Sequence, residues 1–422
     1  MSWLGSAGSS LRKVRAAVSK YGLRAGVADS LARWGQSRRK VPQDVMEDYG
    51  WTLNEDHPAA LRPPESGPLS INWLVPDFSE ASGGMLNVLR TIYNLELWGH
   101  TNRIYVVGKT TMDGPRATAA ARQHYFPVKS QVEIFAGKVA DSDALVATHW
   151  STAYAARALA NTVGKFYFVQ DVEPMFYPAG GLRELVKQTY RFGFHGITLG
   201  PWIAEVLRSE FGMSCAPFGF SFDREIYSPN GNRYFPEKKN RVLFYARPRT
   251  ERRGFELGVL ALSLVAKRMP DTEFVLVGFP PQSIHLPFRA VLPGILSPSE
   301  LASLYRCSSL ALVLSHTNLS MLPLELMACD CAVVSNTGPN VEWLLTDQNT
   351  QLAEPNPEAL ANGIIELLGN GQLRAQKVAA GRVLAESTDW ISEIRTIEST
   401  FYRGLDVPLP SSPRRDAVGS AV

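Results

Sequence analysis

Between residues 70 and 404, short apolar runs alternate with longer stretches whose apolar positions recur every three or four residues. The first run, Ile71-Asn72-Trp73-Leu74-Val75, has the length of a strand, and the stretch 85–98 that follows Gly83-Gly84 and stops at Gly99 has helical spacing. Further strands are predicted at 104–107, 143–148, 166–169 and 196–199. An alanine-rich helix is predicted at 151–161, and another is opened by Pro201 and closed by Gly212. Residues 220–240 are polar and aromatic, contain Pro229, Gly231 and Pro236, and read as an interdomain hinge. A second series follows, with strands at 242–246, 273–277, 310–314 and 332–335 and helices at 255–269, 299–308 and 322–329. Asn356-Pro357-Glu358 combines a cap, an N1 proline and an early acid, a strong helix start. Trp390, Ile394, Ile397 and Phe401 form one apolar face of a helix over 390–403. Such alternation predicts parallel strands covered by helices, here as two α/β units facing a cleft at their strand C-terminal ends. The pattern alone does not separate a transferase from an epimerase or a two-domain dehydrogenase.

Residues 1–69 do not share this alternation. Leu11, Val14, Val18 and Tyr21 recur at helical spacing, as do Val27, Leu31 and Trp34, with Arg12, Lys13, Arg15, Lys20, Arg24 and Arg33 on the other sides. A basic helical stretch over 11–40 can lie on an anionic membrane surface; a solvated helix packed on its own domain is the alternative. Gly22 and Gly26 weaken any single long helix. Residues 41–69 are acidic, end in Arg62-Pro63-Pro64-Glu65-Ser66-Gly67-Pro68, and read as a linker. The expected layout is an extension and linker over 1–69, an α/β domain over 70–220 joined by helix 388–404, a second α/β domain over 221–387, and a disordered tail over 405–422.

The 422 residues, 45% of them hydrophobic, suffice for two or three domains with buried cores. Net charge is only +3, and the basic excess is local: residues 1–40 hold nine Lys or Arg against one acid, and residues 41–67 hold six acids against one Arg. That balance excludes a bulk nucleic-acid binder. Cys215, Cys307, Cys329 and Cys331 suggest neither a disulfide framework nor a four-ligand zinc site, and the Cys329–Cys331 pair reads as core packing. No run approaches the ~20 apolar residues needed to span a bilayer. Residues 1–10 lack the apolar length of a secretory signal. A cytoplasmic protein, peripheral on the inner face of the membrane, is expected.

The segment from Ser315 to Asn336 reads as strand, loop, helix, turn and strand. Its loop, including Asn318, Leu319, Ser320, Met321 and Leu322, precedes a helix N-terminus whose amides and dipole can hold a diphosphate. Glu325, one turn in, can accept hydrogen bonds from the hydroxyls of a ribose. This segment resembles the donor site of retaining GT-B glycosyltransferases, of the large family numbered four. Their pattern is a Glu, seven residues, then a Glu followed by Ala-Met-Ala-Cys-Gly. Leu324-Glu325-Leu326-Met327-Ala328-Cys329 matches the second half, while Thr317 stands at the first Glu, the acid that in the family contacts the donor sugar.

The resemblance extends over 70–404. Arg247 matches the family's Arg after the first strand of the nucleotide domain, and Arg253 stands where Lys precedes a Gly. Both are expected to offset the leaving diphosphate in place of a metal, so no metal or other cofactor is expected. Gly83 and Gly84 resemble the glycine loop where backbone approaches donor phosphate or acceptor; Gly84 is assigned to the donor and Gly83 to the acceptor. His149 lies where the family has a His at the reacting sugar, and a structural His is the alternative. Gln170-Asp171-Val172-Glu173 with Phe176-Tyr177-Pro178 resembles the subgroup of S-layer glycan rhamnosyltransferases, as do His316 and the stretch from Arg247 to Gly258. This implies dTDP-L-rhamnose as donor, a glycan or lipid-linked glycan as acceptor, retention of configuration, and roles for Asp171 in catalysis and Glu173 in acceptor binding. Two other readings stay open: a sugar-nucleotide epimerase of similar fold, and a catalytically silent GT-B partner, for which Thr317 is the main support.

Overall fold

The structure, a computed structural model, describes residues 44–78, 82–237, 240–280 and 284–410. Internal contacts divide the chain into Met1–Asn54 and Glu55–Val422. In the first unit the described part is a short helix, α1 (Val45–Tyr49), followed by a 3-10 turn at Gly50–Leu53. Asp44 caps α1, accepting from the amides of Met46 and Glu47 at 2.8 and 3.1 Å. Part of the expected linker is therefore helical. The basic helix expected over 11–40 lies outside the described residues.

The second unit is built on two all-parallel sheets. The first contains β1 (Ser70–Pro76), β2 (Thr101–Val107), β3 (Val132–Ile134), β4 (Ser142–Ala147), β5 (Thr162–Val169), β6 (His195–Leu199) and β7 (Cys215–Phe218), in the order β3-β2-β1-β4-β5-β6-β7. The second contains β8 (Arg241–Tyr245), β9 (Glu273–Val277), β10 (Val291–Gly294), β11 (Leu310–Val313), β12 (Ala332–Asn336) and β13 (Gln351–Ala353), in the order β10-β9-β8-β11-β12-β13. The central strands are apolar without alternation because helices cover both faces: Ile71 to Val75 and Leu310 to Leu312 are fully enclosed. Strand order reverses between β1 and β4 and between β8 and β11. Loops leaving these neighbours at their carboxyl ends diverge to opposite faces and open a crevice.

The helices that frame these crevices are α2 (Gly83–Leu97), α3 (Gly114–His124), α4 (Trp150–Arg157), α5 (Gly181–Thr189), α6 (Pro201–Phe211), α7 (Phe255–Arg268), α8 (Pro298–Tyr305), α9 (Leu322–Ala328), α10 (Pro339–Glu342), α11 (Pro357–Gly369), α12 (Gly371–Ser387) and α13 (Trp390–Leu405). Gly212 ends α6 in the left-handed conformation, and Asn356 caps α11 by accepting from Ala359, as their positions in the sequence predict.

The chain passes between the sheets twice. The polar hinge expected over 220–240 is pinned, in its described part 220–237, by the Arg306 guanidinium, which donates to the carbonyls of Ser228, Ile226 and Asn232 at 2.7, 2.9 and 3.0 Å. On the return, α13 packs on the first sheet. Phe401 meets Trp73 and Phe166 edge-on at 6.0 and 5.0 Å, His100 Nε2 pairs with Glu398 at 2.9 Å, and the Tyr402 hydroxyl donates to the Gly67 carbonyl at 2.7 Å.

Two expectations at the edges of this unit are corrected. Residues 57–60, read as linker, are held against the first sheet. The His57 amide donates to Arg157 O at 3.1 Å, Ala60 to Ala160 O at 2.9 Å, and the buried Lys165 ammonium takes the carbonyls of His57 and Arg157. Leu405 and Val407, assigned to a disordered tail, are buried; residues 411–422 lie outside the described residues.

Candidate active site

The turn after β8 carries the cations. Arg247 is exposed and lies over the Tyr245 ring at 5.0 Å, donating to its hydroxyl at 3.1 Å. A 3-10 turn at Glu251–Arg253 then closes on Gly254, whose φ is +58°. A Cβ on Gly254 would lie 3.0 Å from His316 Nε2 and 3.2 Å from Leu314, so both conformation and space require glycine. That close approach presses the turn onto the loop after β11. Arg253 Nη1 donates to Ser315 Oγ at 2.5 Å and to the Asn318 carbonyl at 2.9 Å. Burial brings the Arg253 guanidinium down to about 10, with Arg252 and Arg247 adding to the effect and Asp171 opposing it.

The loop 315–321 is fixed from several sides. Asn336 exchanges hydrogen bonds with the Ser315 backbone, and Asn340 Nδ2 donates to the carbonyls of Ser315 and Thr317 at 2.9 and 2.6 Å. Asn318 Nδ2 donates to the carbonyls of Leu199 and Gln170, and Asn318 Oδ1 accepts from Trp343 Nε1 at 3.1 Å. Gly200, at φ +90°, lets the Trp343 ring come within 2.8 Å of where a Cβ would stand. The Asn318 amide, expected to face a diphosphate, instead donates to Asp171 Oδ1 at 2.9 Å, because this buried carboxylate needs donors and the turn supplies one. Among the described residues, the amides of Leu319, Ser320, Met321 and Leu322 donate to no protein group. They lead into α9, which has no side-chain cap. His316, at the head of the loop, is exposed.

Glu325 stands in the first turn of α9, half-buried. Burial and the nearby Asp223 carboxylate push it up to about 8, while Tyr227 and Arg90 pull the other way. Arg90 holds Asp223 through both oxygens, at 2.8 and 3.1 Å, and lies over Trp390 at 4.5 Å. Glu325 thus faces residues contributed by α2 and by the first crossing segment.

On the first sheet the expected residues divide. Gly83 and Gly84 open α2, capped by Ser82. A Cβ on Gly83 would meet open space; one on Gly84 would meet Gln170 Nε2 at 3.3 Å, the atom that donates to the Gly84 carbonyl at 2.9 Å. His149 caps α4: its Nδ1 accepts from the Ser151 amide at 3.3 Å and sits 2.8 Å from Ser151 Oγ. Burial lowers the imidazole to about 4, which suits a neutral ring acting as acceptor. Glu173, expected to bind acceptor, is enclosed instead. Its carboxylate accepts from the Trp150 amide at 2.8 Å and the Tyr167 hydroxyl at 2.9 Å, and burial pushes it up to about 8. A surface role is closed to it because its oxygens satisfy buried donors of its own domain.

Asp171 also differs from its expected role. Its Oδ1 accepts from the amides of Val172 and Asn318, and its Oδ2 from the Thr317 hydroxyl at 2.8 Å. Arg252 Nε lies 3.7 Å from Oδ2, with its guanidinium over Phe176 at 4.2 Å. Burial raises the Asp171 carboxyl, while Asn318, Thr317, Arg253 and Arg252 lower it. The structure therefore brings together Arg253, the 317–322 loop, Asp171, Gln170 and Gly84, and leaves Arg247 at the exposed edge. Gln170 was read only as part of the Gln170–Glu173 motif, with no role of its own, and Arg252 and Trp343 were not singled out in the sequence; no local pattern distinguishes these two from ordinary loop and helix residues.

The fold recurs in solved structures. Sucrose-phosphate synthase (tll1590) from Thermosynechococcus elongatus matches 80% of this chain and 99% of its own, with a TM-score of 0.62 at 14% identity. Anabaena Alr3699/HepE, solved in complex with UDP-glucose, matches 79% of this chain and 100% of its own, with a TM-score of 0.60 at 16% identity. The fold is GT-B. Within it, residues 240–365 match the family described as WsaF, C-terminal domain, a stretch that contains Arg247, Arg253 and Glu325. The O-antigen biosynthesis protein RfbC of Myxococcus xanthus is 34% identical over 259 residues, which is 60% of this chain. The matched part is 20% of that relative's length. In this GT-B chain the described cations, loop amides and carboxylates all follow strand C-terminal ends, on the side where open parallel sheets bind ligands.

Proposed function

We propose that this chain is a glycosyltransferase that moves a sugar from a nucleotide sugar to a polysaccharide or glycolipid acceptor. The observation that carries the reading is that Arg253 holds the loop after β11 at the strand-order reversal of the second sheet, where the amides of 319–322 have no acceptor among the described residues. A leaving diphosphate gathers negative charge, and preset amides and a guanidinium stabilise it without rearranging. Arg253 and these amides would hold it, Arg247 would approach from the rim, and Glu325 would take the ribose hydroxyls. The acceptor would enter beside Gly83, Gly84 and His149. Retention would follow from attack on the face the diphosphate leaves, with a phosphate oxygen taking the acceptor proton.

The finer assignments rest on the sequence resemblance. They are dTDP-L-rhamnose as donor, cationic side chains in place of a metal, and a place on the cytoplasmic face of a membrane reached through residues 11–40. The O-antigen relative supports an acceptor in surface polysaccharide assembly. No helix among the described residues is long and apolar enough to cross a membrane.

The silent-partner reading draws on the capture of Thr317 and Asn318 by Asp171. Purified protein should be stabilised by dTDP- or UDP-sugars in a thermal-shift series, because a ligand of the native state raises apparent stability. Transfer of radiolabelled sugar to a glycan acceptor, with no conversion of donor alone, is the expected outcome. Stabilisation without transfer would favour the silent partner, conversion without acceptor would favour the epimerase, and absence of both would remove the reading.

A further inference from the structure

The Asp171 carboxylate crosses from the end of β5 to the loop of the other sheet. There it meets the hydroxyl of Thr317, the amide of Asn318 and the Arg252 guanidinium, with Arg253 on the far side of the same turn. Three hydrogen-bond donors and two guanidiniums converge on one nearly enclosed anion. We propose that Asp171 is a positioning residue that presets the donor loop across the cleft: it fixes the 317–318 turn and counterbalances the Arg252–Arg253 pair.

The inference rests on the donor-site reading above. It departs from the role in catalysis expected of Asp171, since every oxygen of the carboxylate is engaged by the protein itself. The turn it holds leads directly into the unpartnered amides of 319–322, so their direction depends on where Asn318 is anchored. Neighbouring bonds extend the tie. The Gln170 and Leu199 carbonyls hold the Asn318 side chain, and Gln170 itself joins Gly84 and Asn87 at 2.9 Å each. A continuous hydrogen-bonded path therefore runs from the glycine loop of the first sheet to Arg253 of the second.

Charge gives the proposal a signature. A carboxylate beside two arginines opposes an incoming diphosphate electrostatically while holding the loop in shape. Asp171→Asn keeps the outline and can still accept from the two amides, whereas its amide group can donate to the Thr317 oxygen. It removes charge with little change of geometry. Thr317→Val does the reverse, keeping the charge and removing the tether.

The experiment is calorimetric titration of free dTDP and UDP into the full chain, together with hydrogen exchange of the 315–322 segment. Asp171→Asn is expected to tighten nucleoside diphosphate binding by about 5-fold, because the opposing charge is gone. Thr317→Val is expected to speed exchange across 315–322 by roughly 10-fold while exchange in the strands of both sheets stays unchanged. A role confined to stability would instead make Asp171→Asn bind more weakly and speed exchange globally, and either result overturns the proposal, as does unchanged exchange in Thr317→Val. Arg253→Ala and Glu325→Ala serve as controls. If they weaken dTDP and UDP binding while the two test variants behave as wild type, the positioning role alone fails. If the controls leave binding unchanged, the donor-site reading fails and this inference with it.

Discussion

Glu173 follows β5 of the first sheet and is enclosed, Glu325 follows β11 of the second and is half-buried, and burial pushes both up to about 8. Their surroundings differ. Glu173 receives the Trp150 amide and the Tyr167 hydroxyl, so its hydrogen-bonding capacity is used by the first domain itself. Glu325 shares one hydrogen bond with Tyr227 but faces the Asp223 carboxylate, and the amides just before its helix have no protein acceptor among the described residues. The same residue type beyond a strand end of either sheet can serve the fold or remain open to a ligand. What separates the cases is how fully its partners are already supplied.

The contrast can be broken by paired substitutions. Glu173→Ala should lower the free energy of unfolding by about 3 kcal/mol in urea titrations, since two buried donors lose their acceptor. The folded fraction should bind nucleotide normally. Glu325→Ala should do the opposite; equal loss of stability in both would erase the distinction. Arg253→Ala should weaken dTDP or UDP by about 100-fold, roughly 2.7 kcal/mol, as read by calorimetry. An unchanged affinity would take the cation out of the site.

A subtler separation comes from pH. The native forms of both glutamates keep a proton that the unfolded chain releases above its ordinary value of 4.5. Their contribution to stability is therefore complete below about 4.5 and is lost as pH rises through about 8. Glu325→Gln should flatten part of that decline in denaturant titrations across this window while Glu173 maintains the rest; an unaltered slope would remove Glu325 from it. Smallest of all, His149→Ala should cost about 1 kcal/mol and His149→Ser almost nothing, because either His or Ser can accept at the start of α4. If His149→Ser retains stability but loses sugar transfer, the ring has a second role beyond capping.

The two sheets were legible because their central strands are continuous apolar runs, and helix ends at Gly212 and Asn356 carry local chemistry. The edge strands β3, β10 and β13, three or four residues each, offer too little pattern to recognise. α12 escaped notice because its fully buried positions are Lys377, Gly381 and Ala385, while its larger apolar side chains Leu373, Val378 and Leu384 are only partly buried. At the site, Arg253 and the loop before Glu325 were legible as two separate local motifs. The bond between Asp171 and Thr317 was not, since 146 residues separate them and only the paired sheets bring them together. Glu173 and Asp171 were misread for a related reason: exposure of a loop carboxylate is decided by neighbours distant in the chain.

The packing of Phe401 between Trp73 and Phe166 has a consequence for biosynthesis. The ribosome makes all of β8 to α12 before it makes α13, so the earlier-made half waits with an unfilled hydrophobic slot while the later-made half can already condense. Maturation would then run against the direction of translation, with the first-made sheet sealed last and a nascent chain arrested before residue 390 exposing the apolar face around Trp73.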